Sequence, residues 1–354
     1  MAKTFSKKKT FLFIALPLIF FLFLLETGIR VFGDTQPNRV LCYDPILGRS
    51  YCPNTSGYLK ENLINMYVEV NADGLLGKPY PTARIPGKLR VAVLGDSFTS
   101  GEAVSPEKKF SGVWERKLSE KFPPGVEVIN FGIGGTGTWQ QLQIFHTKTR
   151  KYKPDLTVLA FCWCNDIDNN IDQFNSKADS RNPLLDQYDV GTWTKLKVKR
   201  KNFNKWLWNH SSLYQFTRGG YNRLEHAVKH KLVTRVSQYE EVYSFDTKSW
   251  DITRKLIRKL QSEVQENGGK LAVIHFGGQS QYNESKRFPA KQFDNFLSEQ
   301  GIDHLNTFEL FDQMKDTDLD KYFIPNDGHF NESGHAWFAG LALEFMVRLL
   351  QAKV

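Results

Sequence analysis

The stretch that decides the fold is Val91-Ala92-Val93-Leu94-Gly95-Asp96-Ser97-Phe98-Thr99-Ser100-Gly101. Its apolar first half is typical of a buried strand, and Gly95 ends that strand before an acid and a serine. In an open α/β sheet, the carboxyl ends of the strands border the ligand crevice. A tight strand–turn–helix connection also exposes a serine hydroxyl there and leaves backbone N–H groups beside it. Ser97 is therefore a candidate nucleophile, and the alternative is an N-capping serine in an ordinary loop.

The pattern around this stretch is a βα alternation, which predicts a parallel sheet covered by helices. The predicted strands are residues 90–95, 126–131, 156–161, 270–276 and 304–308. Helical patterns follow the first three of them, and a closing helix is expected from Ser333 as its N-cap. The sequence therefore predicts the α/β class.

The N-terminus combines basic charge with an apolar run. Four lysines (Lys3, Lys7, Lys8 and Lys9) precede residues 11–25, and no small-x-small cleavage site follows. We expect a basic cytoplasmic tail at 1–9 and an uncleaved signal-anchor helix at 10–33, with the remainder extracytoplasmic, in the periplasm or at the cell surface. A cleaved signal peptide is the alternative, and it would export the same domain without an anchor.

The exported part divides into three regions by composition. Residues 34–88 are rich in turn formers and are expected to wrap the main domain as an extension, with 66–70 as an edge strand. The main domain is expected at 89–350, with a helical insertion at 169–249 where the alternation lapses. The insertion contains several aromatic residues: Trp193, Trp206, Trp208, Tyr214, Phe216 and Tyr221.

The chain carries a net charge of +9, and much of the excess lies between Lys195 and Arg235. A solvated helical face explains such a run, and anionic lipid or an acidic polysaccharide is the alternative partner. No zinc-finger, homeodomain or RNA-binding signature accompanies it, so nucleic acid is not an expected partner.

The four cysteines form two pairs. Cys42 and Cys52 have a spacing that a disulfide can close in an oxidising compartment. Cys162 and Cys164 flank a tryptophan at a strand end and are expected to be buried free thiols. They are too few, with no nearby histidine at ligand spacing, to indicate zinc.

Three further clusters fall after predicted strands or before the last helix. They are Gly132-Ile133-Gly134-Gly135-Thr136-Gly137, Asn165-Asp166 and Asn326-Asp327-Gly328-His329. Serine acyl chemistry needs a nucleophile, a base, an acid that orients the base and donors for the oxyanion. We expect Ser97 as nucleophile, His329 as base and Asp327 as its partner, with His335 as a rival histidine.

Three donors are expected to form the oxyanion hole: the backbone N–H groups of Ser97 and Gly135 and the side-chain amide of Asn165. Taken singly, each cluster also has a simpler interpretation, as a turn, a helix cap or a surface loop. Their occurrence at four successive positions near the carboxyl ends of the strands favours the catalytic interpretation.

These clusters resemble the sequence blocks of the SGNH hydrolases, the GDSL-like esterase and lipase superfamily, in a membrane-anchored bacterial envelope form. Gly95-Asp96-Ser97-Phe98 resembles the first block, Asn130 to Gly135 the glycine block, Asn165-Asp166 the asparagine block, and Asp327 with His329 the last. The resemblance covers 89–350 apart from the insertion. It implies a flavodoxin-like, three-layer α/β/α sandwich and hydrolysis or transfer of acyl esters without a metal or cofactor. Asp96 and Asp166 are expected to support the site.

The chain departs from the family pattern at three places. Phe98 replaces the usual leucine, and Trp163 replaces a glycine and is expected to crowd the pocket. The last block reads Asp-x-His rather than Asp-x-x-His, so the link between Asp327 and His329 is one residue shorter than in that pattern. In so glycine-rich a run, the neighbouring glycine is the alternative to Gly135.

The expected function is that of an exported serine esterase that hydrolyses acyl esters on cell-envelope carbohydrate. O-acetyl esters are the expected substrates. The alternatives are an O-acyltransferase using the same site and a non-catalytic glycan-binding protein. Gly132-x-Gly134-x-x-Gly137 also matches a dinucleotide fingerprint, but the next strand does not end in the required acid. His275 and Gln279, at the carboxyl end of the fourth predicted strand, are candidate pocket residues, with a core or loop role as the simpler interpretation.

Overall fold

The structure is a computed structural model that describes residues 7–32, 40–42, 44, 47, 49–61, 64–170, 203–204, 207, 211–214, 216–218, 247–283, 289–313 and 318–352. The chain divides into two compact units. One comprises 1–39 with 196–236, and the other comprises 40–195 with 237–354. Most of the basic run between Lys195 and Arg235, and the aromatic residues Trp193, Trp206, Trp208 and Tyr221, lie outside the described residues.

The first unit contains helix α1, Lys7–Phe32. Its residues Phe13–Phe32 have a mean hydropathy of 2.0 and no buried share, so they are long and apolar enough to cross a membrane. Near the end of the helix, the Glu26 carboxylate accepts hydrogen bonds from Ser211 Oγ (2.8 Å) and from the backbone N–H groups of Ser212 (2.8 Å) and Leu213 (2.9 Å). These contacts attach part of the insertion to α1.

The second unit begins with two antiparallel pairs of strands. Strand β1 (Leu41–Cys42) pairs with β2 (Ser50–Tyr51), and β3 (Thr55–Glu61) pairs with β4 (Ile64–Val70). The predicted edge strand at 66–70 is therefore confirmed and belongs to β4. The sulfurs of Cys42 and Cys52 form a disulfide across the first pair.

Five parallel strands form the central sheet of the described residues. They are β5 (Leu89–Gly95), β6 (Val126–Asn130), β7 (Leu156–Cys162), β8 (Lys270–Phe276) and β9 (Asp303–Asn306). Their order is β6-β5-β7-β8-β9. All seven residues of β7 are buried, as expected for the centre of a sheet covered on both faces. The five predicted strands are confirmed, with differences of one or two residues at several ends.

Helices cover both faces of this sheet. They are α2 (Ser97–Ser100), α3 (Phe110–Lys121), α4 (Thr138–Ile144), α5 (Lys248–Glu266), α6 (Gln279–Asn283), α7 (Ala290–Glu299), α8 (Thr307–Asp312) and α9 (Glu332–Gln351). The step from β5 to β6 and the step from β6 to β7 run in opposite directions, so right-handed crossovers place α3 and α4 on opposite faces. Helix α3 packs with α9, and α4 packs with α5. The fold is therefore the three-layer α/β/α sandwich.

The start of the closing helix differs from the expectation. Its N-cap is Asn331 rather than Ser333, because Asn331 Oδ1 accepts the Gly334 N–H at 3.0 Å. Asparagine and serine are both favoured at N-caps, so composition alone did not distinguish the two positions.

The extension is attached to the sheet by a buried arginine. Arg90 on β5 is 1% exposed, and its guanidinium contacts Glu127 of β6 at 2.6 Å. It also donates to the Tyr152 carbonyl at 2.7 Å and to the carbonyls of three extension residues, Pro81, Thr82 and Ala83. One side chain thus satisfies backbone acceptors of the extension beside the sheet.

We expect Arg90→Leu to lower the free energy of unfolding by about 3–5 kcal/mol, because Glu127 becomes a buried charge without its partner. Urea unfolding of the full-length protein in detergent, followed by tryptophan fluorescence, measures this change. Arg116→Leu is the matched control, since Arg116 is exposed on α3. An Arg90→Leu protein as stable as this control would contradict the prediction.

Candidate active site

Ser97 lies at the start of α2, directly after β5. Asp96 is the N-cap of this short helix, and its Oδ1 accepts the Phe98 N–H at 2.9 Å. A Cβ on Gly95 would lie 2.0 Å from Thr99 Oγ1, so only glycine allows the chain to turn this tightly. The local sequence therefore holds Ser97 at the carboxyl end of a central strand, as predicted.

His329 and Asp327 come to Ser97 from the loop before α9. The distance from Ser97 Oγ to His329 Nε2 is 2.7 Å, and the distance from His329 Nδ1 to Asp327 Oδ1 is 2.5 Å. The intervening Gly328 has a φ of +86°, a conformation that glycine adopts without strain. The shorter Asp-x-His spacing therefore still brings the carboxylate to the imidazole.

A cavity of about 200 Å³ opens beside these groups. Its lining includes Ser97, Gly135 and His329 from the predicted site. Gly135 has a φ of +70°, and a Cβ there would meet nothing within 4 Å, so the space on that side of its Cα is open. The Asn165 side chain is not part of this lining among the described residues and instead hydrogen-bonds to the Asp96 carboxylate. Of the three residues expected to supply oxyanion donors, Ser97 and Gly135 therefore line the cavity.

Asp96 and Asp166 are both fully buried beneath the site. Asp166 accepts hydrogen bonds from the Cys162 N–H at 2.6 Å and from Gln141 Nε2 at 3.0 Å. Burial raises the pKa of Asp166 well above its ordinary value, and the nearby Asp96 charge adds to the effect. Burial also raises the pKa of Asp96 to about 6, against the opposing influence of His329.

This shift predicts a pH-dependent stability. The pKa of Asp96 rises from 3.8 to about 6 on folding, so its contribution is fully present below pH 3.8 and is lost as the pH rises through about 6. Asp96→Asn cannot lose a proton. We expect the stability of the variant relative to the wild type to grow by up to about 3 kcal/mol between pH 4 and pH 7. Urea titrations of both proteins at these two pH values measure the difference, and a pH-independent difference would contradict it.

Trp163 does not crowd the cavity, contrary to the expectation. It is 2% exposed and packs in an aromatic cluster with Phe161, Trp250 and Phe293. Its Nε1–H donates to His275 Nδ1 at 3.1 Å. The tryptophan turns into the core because this polar partner satisfies its ring nitrogen there.

The two other residues considered for the pocket have structural contacts. His275 is fully buried and its Nε2 lies 2.7 Å from Asp294 Oδ1. Gln279 donates to Asp320 at 2.7 Å. His275 therefore has the core role of the simpler interpretation, whereas Gln279 is the first residue of α6 rather than part of a loop.

The expectation of free thiols at Cys162 and Cys164 is wrong, because the two sulfurs are bonded to each other. The turn after β7 brings the two Cα atoms to 5.1 Å, within the usual range for a disulfide. Both sulfurs also lie within 4.8 Å of an Asp96 oxygen, the one such group of potential metal ligands in the described residues. Bonded sulfurs are not thiolate ligands, so this group does not fit a metal ion.

The glycines of the rival dinucleotide pattern have packing roles. A Cβ on Gly132 would lie 2.4 Å from the Ser100 nitrogen, and one on Gly137 would lie 2.8 Å from Asn169 Cβ. These positions need glycine because the chain passes close to α2 and to the helical residues 166–170 that follow β7. The spacing of the glycines thus has an explanation within the domain.

The cavity is also lined by three polar residues for which the sequence did not predict this role: Arg49, Glu102 and His335. His335, the rival histidine, is 1% exposed, and its Nδ1 accepts the Phe110 N–H at 3.3 Å. Burial lowers the pKa of His335 to about 3. It is therefore a neutral wall residue, whereas His329 contacts Ser97.

Comparison with known proteins gives one family and several similar folds. The model of the GDSL-like Lipase/Acylhydrolase family matches residues 93–337. No curated protein sequence matches the chain. Among solved structures, a lipase/acylhydrolase from Enterococcus faecalis is 15% identical over 73% of this chain and 95% of its own, with a TM-score of 0.39.

Two further solved structures match this chain with comparably low sequence identity and TM-score. A two-domain esterase active on acetylated mannans is 13% identical over 74% of this chain and 49% of its own, with a TM-score of 0.38. The psychrotrophic esterase EstA from Pseudoalteromonas sp. is 13% identical over 74% of this chain and 98% of its own, with a TM-score of 0.39.

Proposed function

The chain belongs to the GDSL-like lipase/acylhydrolase family and is a serine hydrolase of ester bonds, and we propose that it removes O-acetyl groups from cell-envelope carbohydrate. The observation that carries the proposal is the continuous contact from Ser97 Oγ through the His329 ring to Asp327. A serine, a histidine and an acid in this order form a catalytic triad, in which the histidine activates the serine hydroxyl for acyl transfer.

The proposed reaction has two steps. Ser97 Oγ attacks the ester carbonyl carbon while His329 Nε2 takes the serine proton, and Asp327 stabilises the imidazolium. The carbon–oxygen bond of the ester then breaks, and His329 returns the proton to the departing alcohol. Water attacks the acyl-enzyme by the same route, which releases the acid and restores Ser97.

The negative charge on the carbonyl oxygen requires donors in each step. The Ser97 and Gly135 N–H groups are assigned here, since both residues line the cavity. Asn165, which contacts Asp96, is assigned as the third donor and has to turn from that carboxylate toward the substrate. Asp96 and Asp166 are assigned the supporting role of holding α2 and the turn after β7.

The size of the cavity favours a short acyl group. About 200 Å³ is below the usual 300–1,000 Å³ of sites for larger ligands. An acetyl ester fits this space together with the part of the alcohol next to the ester bond, whereas a long acyl chain would extend outside it.

The location is proposed from the N-terminal helix and the cysteines. Helix α1 is long and apolar enough to span a membrane, and its basic flank favours a cytoplasmic N-terminus. The Cys42–Cys52 disulfide is typical of an oxidising compartment. We therefore propose an uncleaved anchor, with residues 89–350 as the extracytoplasmic catalytic domain and 169–249 as its insertion.

The test uses full-length protein in detergent with chemically O-acetylated oligosaccharides. We expect release of free acetate by the wild type and none by Ser97→Ala. Transfer of acetyl to added sugar hydroxyls, without free acetate, would indicate an O-acyltransferase instead. Binding of the oligosaccharide without any loss of acetyl would indicate the non-catalytic alternative.

A further inference from the structure

One wall of the cavity at Ser97 comes from the N-terminal extension. Arg49 and Ile64 line the cavity, whereas the match to the family begins at residue 93. These two residues are therefore additions to the matched domain. Their positions in the cavity wall are not determined by the catalytic blocks that the chain shares with its family.

Arg49 is held in place by the structure around it. It precedes β2, which pairs with β1 and is linked to it by the Cys42–Cys52 disulfide. Lys148 Nζ donates to Ser50 Oγ at 3.0 Å, which ties this pair of strands to the main domain. A side chain on such a support loses little conformational entropy when it binds a ligand.

Glu102 completes the polar wall. Its Oε1 accepts hydrogen bonds from Arg49 Nη2 at 3.0 Å and from the Tyr51 hydroxyl at 2.5 Å. The Glu102 side chain is 4% exposed, whereas that of Arg49 is 25% exposed. Glu102 thus orients the guanidinium from below, and Arg49 presents the more accessible part of the pair.

The Arg49–Glu102 pair packs against the backbone of Gly134, the residue before Gly135. A Cβ on Gly134 would be 2.9 Å from Glu102 Oε1 and 3.3 Å from Arg49 Nη2. The wall therefore offers N–H donors and a carboxylate acceptor beside the proposed oxyanion donors. His335 adds a neutral ring to the same cavity, with its Nδ1 occupied by the Phe110 N–H.

We propose that Arg49 and Glu102 form a subsite for sugar hydroxyl groups, which holds the alcohol part of the ester while its acetyl group reaches Ser97. The inference rests on the proposed function for the class of ester. Donor and acceptor groups side by side complement neighbouring hydroxyls, each of which both donates and accepts. A neutral sugar is favoured over an anionic one, because Glu102 already neutralises the Arg49 guanidinium through their contact at 3.0 Å.

The experiment measures inhibition of p-nitrophenyl acetate hydrolysis by the methyl glycosides of glucose, galactose, mannose and N-acetylglucosamine, with glucuronate as the anionic comparison. Full-length wild type, Arg49→Leu, Arg49→Lys and the surface control Arg116→Leu are compared in detergent. We expect at least one glycoside to compete, with its inhibition constant raised about 10–100-fold in Arg49→Leu, as for loss of hydrogen bonds to a charged group. Arg49→Lys should retain part of the affinity for the glycoside, and Arg116→Leu should have the same inhibition constant as the wild type.

Three results would overturn the subsite: inhibition by none of the four glycosides, an inhibition constant unchanged in Arg49→Leu, or Arg49-dependent inhibition by glucuronate alone. If Arg49→Leu lowers the turnover of p-nitrophenyl acetate but leaves the inhibition constants of the glycosides unchanged, Arg49 has a structural role. That result would also overturn the proposed subsite. The proposed function fails separately. If a glycoside competes through Arg49 but O-acetylated sugars are not hydrolysed, the subsite stands and the proposed substrate is wrong.

Discussion

Ser97→Ala is expected to lower kcat/KM for p-nitrophenyl acetate by about 10³–10⁶-fold, because no other group can take over the attack on the carbonyl carbon. The change removes one oxygen atom at the edge of the cavity. It leaves the Asp96 cap of α2 and its bond to the Phe98 N–H in place. We therefore expect the variant to fold with an unchanged unfolding midpoint, measured by tryptophan fluorescence in detergent.

The matched control is Ser298→Ala, which removes an equivalent hydroxyl from an exposed position on α7. It should hydrolyse the ester like the wild type. A covalent probe gives an independent readout, since a fluorophosphonate should label the wild type and Ser298→Ala but not Ser97→Ala. Undiminished hydrolysis by a folded Ser97→Ala protein would rule out the acyl-enzyme at this residue.

The strands and the position of Ser97 could be predicted because the information for them is local. Each strand of the sheet is a short apolar run bounded by turn residues, and burial on both faces requires that pattern. Gly95, Asp96 and Ser97 likewise follow from one tight turn, in which only glycine fits beside Thr99. The position of His329 could be anticipated because the Asp-x-His cluster directly precedes the closing helix.

The orientation of side chains after β7 could not be predicted in the same way. Trp163 was expected near the cavity, but its direction depends on His275, which comes from a different strand and satisfies the indole N–H. The two cysteines that flank it are likewise bonded through the geometry of one turn. Such contacts depend on three-dimensional packing rather than on the residue types along the strand.

The cavity wall formed by the extension is a second case. Arg49 carries no local signal, because a single arginine in a turn-rich region has many possible partners. Only the pairing of β1 with β2 and the buried carboxylate of Glu102 place it beside Gly134. Predicting this contact would have required the relative position of two segments that lie 53 residues apart.

Asp327→Asn is expected to lower kcat for p-nitrophenyl acetate by about 10³–10⁴-fold while His329 keeps its position. Asp327 accepts a hydrogen bond at His329 Nδ1, which leaves Nε2 without a proton and able to accept the one from Ser97. The asparagine amide can donate to Nδ1 instead. The proton would then reside on Nε2, and the imidazole could no longer act as the base toward Ser97.

Asp320→Asn is the control, because Asp320 is an exposed acid near the same loop and contacts Gln279 rather than the site. Its kcat should equal that of the wild type. A comparison with His329→Ala shows whether Asp327 acts only through the imidazole. If it does, a double variant lacking both side chains should have a kcat no lower than that of His329→Ala alone. A kcat for Asp327→Asn within about tenfold of the wild type, beside an inactive His329→Ala, would show that the imidazole keeps its reactive tautomer without Asp327.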